Sequence, residues 1–240
     1  MTSSLSLTSI NRTLLRSGLE RYRNALVVIV ASVMAIALTL MLLAPASAPN
    51  LAQPSHADQV MQLTDSWAKG DVIALVRHGE RCDRSTTQCL GPADGVTVRG
   101  EAAVKALGAD FNQLGLKNAD IYSSLLTRAR QTASAMFVRP VEAQDWLFNC
   151  RGTMLRDALK HKVPGQNLIL VSHSECMDEL LMEMHLSTST MFGYGSTLFI
   201  KASGANVEPQ MLGYIEPKDR ASIVPVVAAS SRHGYEASQF

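Results

Sequence analysis

Residues 71–81 read Asp-Val-Ile-Ala-Leu-Val-Arg-His-Gly-Glu-Arg, a short apolar run that ends in a charged cluster. Residues 167–172, Asn-Leu-Ile-Leu-Val-Ser, repeat this form and are followed by His173. An apolar run of this length is typical of a strand that is buried on both faces, as in a parallel sheet. The two runs therefore predict two buried strands of a parallel sheet, each with polar chemistry at its carboxyl end.

Helical patterns separate the predicted strands. Thr97 is suited to cap a helix whose apolar residues recur at helical spacing up to Leu114, and another amphipathic helix follows His173. Further elements are predicted as strands over 119–122 and 141–148, helices over 125–137 (capped by Ser123-Ser124) and 151–160, and a hairpin over 196–215. This alternation predicts an α/β three-layer sandwich with a mostly parallel sheet. Ligands of such folds bind at the carboxyl ends of the strands.

The N-terminal part contains twenty uncharged, mostly apolar residues, 25–44, which as a helix match the roughly 30 Å apolar thickness of a bilayer. All four arginines of the first 44 residues precede this stretch, so the positive-inside rule places the N-terminus in the cytoplasm and residues after Ala44 across the membrane. Ala46-Ser47-Ala48 also resembles a cleavage site, but the apolar run is longer than the ~7–15 residues of a signal-peptide core. An uncleaved anchor is therefore favoured over a cleaved signal.

The predicted organisation is a cytoplasmic basic tail over 1–24, a transmembrane anchor or signal segment over 25–44, a linker over 45–60, a catalytic domain over 61–216 and a flexible C-terminal tail over 217–240. Beyond residue 44 there are 18 basic and 20 acidic side chains, which is not the basic balance of a nucleic-acid-binding protein. The expected location is a single-pass membrane protein with its domain outside the cytoplasm, or an extracytoplasmic protein if the signal is cleaved. The oligomeric state is not indicated.

The first charged cluster, Arg77 to Arg81, places His78 between two arginines directly after a strand. A neutral imidazole can attack phosphorus and carry a phosphoryl group when cations neutralise the phosphate oxygens. Arginine supplies a permanent charge and paired donors for this purpose. A single histidine at the end of a strand is more often structural. The two neighbouring arginines are the reason to interpret His78 as catalytic.

Four motifs in order resemble those of the histidine phosphatase (phosphoglycerate mutase-like) superfamily. They are Arg77-His78-Gly79, Val96-Thr97-Val98-Arg99-Gly100, Tyr122 to Ala133 (the Ser-Ser-x-x-x-Arg-Ala-x-Gln-Thr-Ala block) and Leu170-Val171-Ser172-His173. The resemblance implies a phosphoglycerate mutase-like fold with His78 as nucleophile. It also implies a phosphate pocket lined by Arg77, Arg81, Arg128 and His173. These side chains have no evident metal preference, so neither a metal nor another cofactor is expected.

Two carboxylates are candidates for the acid that protonates the leaving alcohol, because the family places this acid either beyond the second histidine or after the third strand. Glu175 lies two residues past His173, and Asp145 lies in the other region. Glu175 is favoured. A glutamate in the first turn of a helix is also an ordinary partner of the helix dipole, and this alternative stays open.

All four cysteines follow the apolar span, and disulfides persist outside the cytoplasm. We expect a Cys82–Cys89 disulfide beside the catalytic histidine, with Cys150 and Cys176 as the complementary pair. A zinc site at Cys82 and Cys89 is the alternative, although six intervening residues exceed the usual two to four.

The stretch around these cysteines, 81–98, is similar to the bacterial lipopolysaccharide core heptose(II)-phosphate phosphatase group. This resemblance implies a single-pass inner-membrane protein with its catalytic domain in the periplasm, or a periplasmic protein if the signal is cleaved. The sequence therefore predicts a phosphomonoester hydrolase that acts through a phosphohistidine on an extracytoplasmic small-molecule or lipid-linked substrate, with a phosphorylated sugar of the lipopolysaccharide core as the candidate. A mutase is disfavoured because phosphoglycerates are cytoplasmic. The alternative from another class is a non-catalytic, membrane-anchored binding or regulatory protein that retains the fold.

Overall fold

The structure, a computed structural model, describes residues 7–203 and 207–222. The chain divides into two compact units, Met1–Pro45 and Ala46–Phe240. The first unit contains helix α1, Leu7–Leu43. Its part Tyr22–Leu43 has a mean hydropathy of 2.9, and each of its large apolar side chains is more than half exposed. Such a helix is compatible with a membrane anchor or with a signal segment.

The second unit is built on one sheet, which within the described residues has the strand order β3-β2-β4-β1-β5-β6. The strands are β1 (Val72–Arg77), β2 (Ala119–Ser124), β3 (Glu142–Gln144), β4 (Asn167–Ser172), β5 (Thr197–Lys201) and β6 (Gln210–Ile215). Strands β1 to β4 are parallel, whereas β5 and β6 pair in antiparallel fashion at one edge. In the centre, Val76 lies beside Val171 and Arg77 beside Ser172, so the turns that follow β1 and β4 are neighbours.

Helices cover both faces of the sheet. They are α2 (Ala57–Ala68), α3 (Val98–Leu114), α4 (Thr127–Met136), α5 (Met154–His161) and α6 (Ser174–Glu183). Alternate side chains of the central strands point to opposite faces, and they pack in one core with α2, α3 and α4 and in the other with α5 and α6. The predicted three-layer α/β sandwich with a mostly parallel sheet is therefore confirmed.

Most predicted elements are present, but two have different boundaries. Ser123 and Ser124 are the last residues of β2 and do not cap the following helix, which begins at Thr127. They are strand residues because their backbones pair with β3 along the edge of the sheet. The strand predicted over 141–148 is limited to β3 and then becomes a 3₁₀ helix, Asp145–Leu147, whose Leu147 is fully buried.

The segment predicted as a linker over 45–60 is ordered and packed. Ala48 and Leu51 are buried, and the Leu51 amide donates to the Tyr214 carbonyl of β6 at 3.0 Å. The Tyr214 amide donates to Pro49 in return, at 2.8 Å. Gly213 permits this approach, because its φ is +141° and a Cβ there would lie 2.5 Å from the Pro49 carbonyl oxygen. The prediction of a linker was wrong here because the edge strand β6 offers backbone groups that this segment satisfies.

Residues 204–206 of the predicted hairpin turn, and residues 223–240 of the predicted C-terminal tail, lie outside the described residues. Before them, the strands β5 and β6 form the antiparallel pair that the hairpin prediction requires. Residues Pro217–Ser222 at the start of the predicted tail form a 3₁₀ helix.

The start of α3 and its contact with α4 depend on close backbone approaches. The Thr97 hydroxyl accepts from the Gly100 amide at 2.9 Å, which confirms the predicted cap, and donates to the Glu80 carboxylate at 2.7 Å. A Cβ at Gly100 would lie 2.7 Å from the Glu80 amide nitrogen. A Cβ at Gly108 would lie 2.2 Å from the Met136 carbonyl oxygen at the end of α4. Both glycines therefore let α3 approach its neighbours more closely than alanine allows.

We predict that Gly108→Ala lowers the free energy of unfolding by about 1–3 kcal/mol, because overpacking of a helix contact costs this much. An uncrowded glycine in a helix would respond in the opposite direction, with a gain of roughly 0.5–1 kcal/mol. Equilibrium urea unfolding of the full chain in detergent, followed by tryptophan fluorescence, measures the sign. Gln113→Ala, at an exposed position of the same helix, serves as control and should change little. A stabilised Gly108→Ala protein would contradict the close contact.

Candidate active site

His78 lies in the turn after β1 and is held in one tautomer. Its Nδ1 lies 2.8 Å from the Gly79 carbonyl oxygen, and the Arg128 Nε lies 3.1 Å from its Nε2. A carbonyl oxygen only accepts hydrogen bonds and an arginine Nε only donates them. Nδ1 therefore carries the proton, and the Nε2 lone pair faces the Arg128 guanidinium. This is the nitrogen that a bound electrophile can reach.

Hydrogen bonds from three elements fix the position of this turn. The His78 amide donates to the Ser172 carbonyl at the end of β4, at 2.9 Å. The Gly79 amide donates at 2.9 Å to the Thr132 hydroxyl of α4, which itself donates to the Arg128 carbonyl at 2.7 Å. Thr132 thus ties the turn that carries His78 to the helix that carries Arg128. This contact gives a structural reason for the threonine in the Arg-Ala-x-Gln-Thr-Ala motif.

The His78 imidazole is 3% exposed, and its surroundings disfavour a positive charge. Burial is the main reason that the pKa of His78 falls to about 3, and the neighbouring His173, Arg128 and Arg77 lower it further. The hydrogen bond to Gly79 acts in the opposite direction but is outweighed. The pKa lies below the ordinary value of about 6.5, so the imidazole is neutral from about pH 4 upward in the ligand-free protein.

His173 follows β4, and its ring centroid lies 5.2 Å from that of His78. Its Nε2 lies 2.8 Å from the Ser124 hydroxyl oxygen, at the end of β2. Its Nδ1 is buried and has no hydrogen-bond partner among the described residues. Burial first, and then the charge of Arg128, lowers the pKa of His173 to about 4. The structure therefore places the two sequence-predicted histidines side by side, both neutral at neutral pH.

The Arg77 side chain packs against Tyr194, a residue that the sequence analysis did not identify. Its guanidinium lies 4.3 Å from the ring centroid of Tyr194, and its Nη1 donates to the Phe192 carbonyl. The Tyr194 ring lies 5.7 Å from that of His78. The Arg77 Nε is buried without a partner among the described residues, and burial lowers the pKa of Arg77. The only sequence signal for Tyr194 is a pair of flanking glycines ahead of β5.

The other two predicted arginines, Arg128 and Arg81, differ in their hydrogen-bond partners. Arg128, in the first turn of α4 as predicted, covers His78 Nε2 and lines a cleft. Arg81 is paired with Asp83, to which its Nε donates at 2.8 Å and its Nη2 also donates. Burial mainly, and the nearby charge of Arg81, lower the pKa of Arg128. Arg81 is thus close to the pocket but held at its rim by Asp83.

The cleft in front of these groups has a volume of about 340 Å³. Its described lining consists of Arg128, Phe148, Asn149, Cys150, Arg151, His173, Glu175, Cys176 and Glu179. His78 lies behind the Arg128 guanidinium, so a ligand must displace Arg128 from Nε2 to reach it. The donors converging here are guanidinium and imidazole N–H groups, which suit an oxyanion and not a metal cation.

The two candidate acids differ in position. Glu175 lines the cleft, whereas Asp145 is absent from its described lining and accepts from the Asn149 side chain at 2.7 Å. Burial would raise the pKa of Glu175, but hydrogen bonds from its own amide and from Ser174, with nearby cationic side chains, hold it below its usual value. Glu175 is therefore a carboxylate in the ligand-free protein and needs a bound anion to make it an acid.

Both expected disulfides are present. Cys82 is bonded to Cys89, and Cys150 is bonded to Cys176. The zinc alternative was wrong, because the two sulfur atoms of Cys82 and Cys89 are bonded to each other. The first bridge closes the loop that follows Arg81, and the second joins a wall of the cleft to α6.

Comparison with known proteins agrees with this geometry. Residues 73–146 match the histidine phosphatase superfamily (branch 1). A lipopolysaccharide core heptose(II)-phosphate phosphatase from Escherichia coli O1:K1 is 35% identical over 109 residues, which are 44% of this chain and 54% of that protein. The protein of the same name from Shigella flexneri serotype 5b is 36% identical over 110 residues, with the same coverage. The chain thus spans about half the length of these curated relatives.

Among solved structures, a phosphoserine phosphatase from Entamoeba histolytica superposes with a TM-score of 0.49 at 14% identity, over 62% of this chain and 98% of that one. The matched residues 73–146 include β1, the His78 turn and the first turns of α4 with Arg128. The similarity to the histidine phosphatase superfamily (branch 1) therefore covers the segment that carries His78 and Arg128.

Proposed function

We propose that this protein is a phosphomonoester hydrolase in which His78 Nε2 takes the phosphoryl group. The observation that carries the proposal is the fixed tautomer of a buried, neutral imidazole whose lone pair faces the Arg128 guanidinium. A nucleophile of this kind needs no base to deprotonate it. Arg77 Nε and His173 Nδ1, both buried without a partner among the described residues, are further nitrogen atoms that phosphate oxygens would satisfy.

In the first step, the substrate phosphate displaces Arg128 from His78 Nε2 and takes over its guanidinium as a ligand. The Nε2 lone pair attacks phosphorus, and the bond from phosphorus to the ester oxygen breaks. The Arg77, Arg128 and His173 side chains stabilise the charge on the phosphoryl oxygens. The bound phosphate raises the pKa of Glu175, which therefore takes up a proton from solvent when substrate binds. Glu175 gives this proton to the leaving alkoxide.

In the second step, Glu175 is a carboxylate again and takes a proton from a water molecule in the cleft. The oxygen of this water attacks phosphorus, the phosphorus–nitrogen bond breaks, and its electron pair returns to His78 Nε2. The proton stays on Nδ1 and remains hydrogen-bonded to the Gly79 carbonyl throughout, so the imidazole keeps its orientation. Atoms and protons balance over the two steps, with water consumed and alcohol and phosphate released.

The proposed substrate is extracytoplasmic, and a phosphorylated sugar of the lipopolysaccharide core is the candidate. Two observations support it. The curated relatives that are 35–36% identical to this chain over 109 and 110 residues have the name of lipopolysaccharide core heptose(II)-phosphate phosphatases. The apolar helix Tyr22–Leu43 is long enough to anchor the chain in a membrane, in line with the inner-membrane location proposed for this protein.

We predict that His78→Ala abolishes hydrolysis of p-nitrophenyl phosphate by the full chain in detergent, because it removes the nucleophile. Arg128→Ala should lower kcat/KM by roughly 10²–10³, the usual effect of removing one preorganised charge-stabilising donor. Arg130→Ala, two residues further along the same helix at an exposed position, is the matched control and should behave as the wild type.

Two results would contradict the proposal. Near-normal turnover by His78→Ala would remove the proposed nucleophile. If the wild-type chain binds inorganic phosphate but releases none from any phosphomonoester, the non-catalytic binding protein becomes the better interpretation.

We predict that Glu175→Gln slows hydrolysis of alkyl phosphates such as glycerol 3-phosphate by about 10²-fold or more, the range of general acid catalysis. It should slow the first step of p-nitrophenyl phosphate hydrolysis much less, because nitrophenolate leaves without a proton. Burst kinetics separate this step from hydrolysis of the phosphohistidine. Asp145→Asn is the control, since Asp145 lies outside the described cleft lining. Equal losses of the first step with both leaving groups would exclude Glu175 as the acid.

For location, we predict that alkaline phosphatase fused after Pro45 is active in a Gram-negative host and that β-galactosidase fused there is not. The boundary at Pro45 leaves the second unit out of the fusion. Arginines flank only the N-terminal side of the apolar stretch, which directs its other end outward. Replacing Arg12, Arg16, Arg21 and Arg23 by Ser should weaken this preference. Activity of the β-galactosidase fusion alone would place the domain in the cytoplasm.

A further inference from the structure

The cleft continues beyond the groups that bind and attack phosphate. Its volume of about 340 Å³ lies at the lower end of the range for small-molecule sites, about 300–1,000 Å³. Besides Arg128 and His173, the cleft is lined by residues 148–151 and by three residues of α6, Glu175, Cys176 and Glu179. We call residues 148–151 the side wall. It borders the space into which the alcohol part of a phosphomonoester extends.

Covalent and hydrogen bonds hold the side wall close to His173. The Cys150–Cys176 disulfide joins it to α6, three residues after His173. Immediately beyond the wall, the Gly152 amide donates to the Glu179 carboxylate at 2.8 Å. Leu147, just before the wall, accepts from the Ser172 hydroxyl at 2.6 Å. These bonds fix the backbone of the side wall at both ends, so the positions from which its side chains reach a ligand are preorganised.

The side wall presents an aromatic ring and a cation. Phe148 is 49% exposed, and its ring centroid lies 6.0 Å from that of His173 in an edge-on arrangement. Arg151 is exposed, and no carboxylate in the part of the chain that the structure describes forms an ion pair with it. The nearby Glu179 carboxylate accepts from the Gly152 amide and forms no ion pair with Arg151 in the described part of the chain. An unpaired guanidinium beside a catalytic cleft is suited to a planar anionic group.

From these observations we propose that the side wall is the leaving-group subsite and that Arg151 binds a second acidic group, a carboxylate or phosphate, carried by the alcohol part of the substrate. Phe148 covers the carbon skeleton between the two charged ends. This inference rests on the proposed phosphatase function and deepens it, because it names the substrate class as phosphomonoesters with a second anionic group. The phosphoryl pocket then sets the reaction, and the side wall sets the preference among substrates.

The test compares substrates that differ only in the second acidic group. The pairs are 3-phosphoglycerate with glycerol 3-phosphate, and 6-phosphogluconate with sorbitol 6-phosphate; p-nitrophenyl phosphate serves as a substrate without such a group. We expect the full chain in detergent to prefer the acidic member of at least one pair. Arg151→Gln should lower kcat/KM for that member about tenfold, the effect of one charge-assisted hydrogen bond, mainly through KM. It should change the neutral member and p-nitrophenyl phosphate by less than about twofold.

Arg156→Gln is the matched control, because Arg156 is an exposed arginine of α5 that pairs with Asp157 and is not part of the described cleft lining. It should alter neither member of either pair. Equal losses for acidic and neutral substrates in Arg151→Gln, or no preference in the wild type, would overturn the subsite while hydrolysis itself supports the phosphatase.

A binding measurement keeps the two proposals separable if nothing is hydrolysed. The same four compounds are titrated calorimetrically into His78→Ala and into His78→Ala combined with Arg151→Gln. Tighter binding of an acidic member that disappears with Arg151→Gln supports the subsite even without turnover. Identical Kd values within each pair, before and after the substitution, would refute it.

Discussion

The site depends on one constraint, the position of the turn that follows β1. Its two amides are bonded to the Ser172 carbonyl at the end of β4 and to the Thr132 hydroxyl in α4. The same turn directs His78 Nδ1 to the Gly79 carbonyl, which leaves Nε2 unprotonated and facing Arg128. Because β1 and β4 are parallel neighbours, their carboxyl ends deliver two histidines to one place. The rest of the pocket is arranged around this pair.

Burial decides the charge state of the pocket. Two imidazoles and two arginines lie where water is largely excluded, and the pKa of each is lowered chiefly by that exclusion. The imidazoles respond by remaining neutral, while the guanidiniums keep their charge. Arg77 does so with the Tyr194 ring and the Phe192 carbonyl as partners. The result is a positively charged pocket with an uncharged nucleophile, which suits a phosphate ester in both binding and attack.

The second disulfide connects this pocket to the side wall. Cys150 and Cys176 belong to the core that α5 and α6 form with the sheet, and Cys176 lies one residue from Glu175. The wall, the candidate acid and the second histidine are therefore parts of one rigid corner of the molecule. In the other corner, the Cys82–Cys89 bridge closes the loop whose Asp83 holds Arg81. Each bridge thus restrains a segment that borders the space in front of His78.

The sequence by itself determined the sheet-forming runs, the Thr97 cap, the two histidines, the three candidate arginines and both cysteine pairs. Most of these features can be predicted because the spacing of apolar residues, helix caps and strand-end motifs all depend on residues close together in the sequence. Only the tertiary structure decided that Ser124 contacts His173, that the Tyr194 ring lies against Arg77 and that residues 49–51 pair with β6. Each of these contacts joins segments distant in the chain, and no local pattern encodes which distant atom becomes the partner. The contact of His78 Nε2 with Arg128, fifty residues further along the chain, likewise exists only because α4 brings the guanidinium against the imidazole.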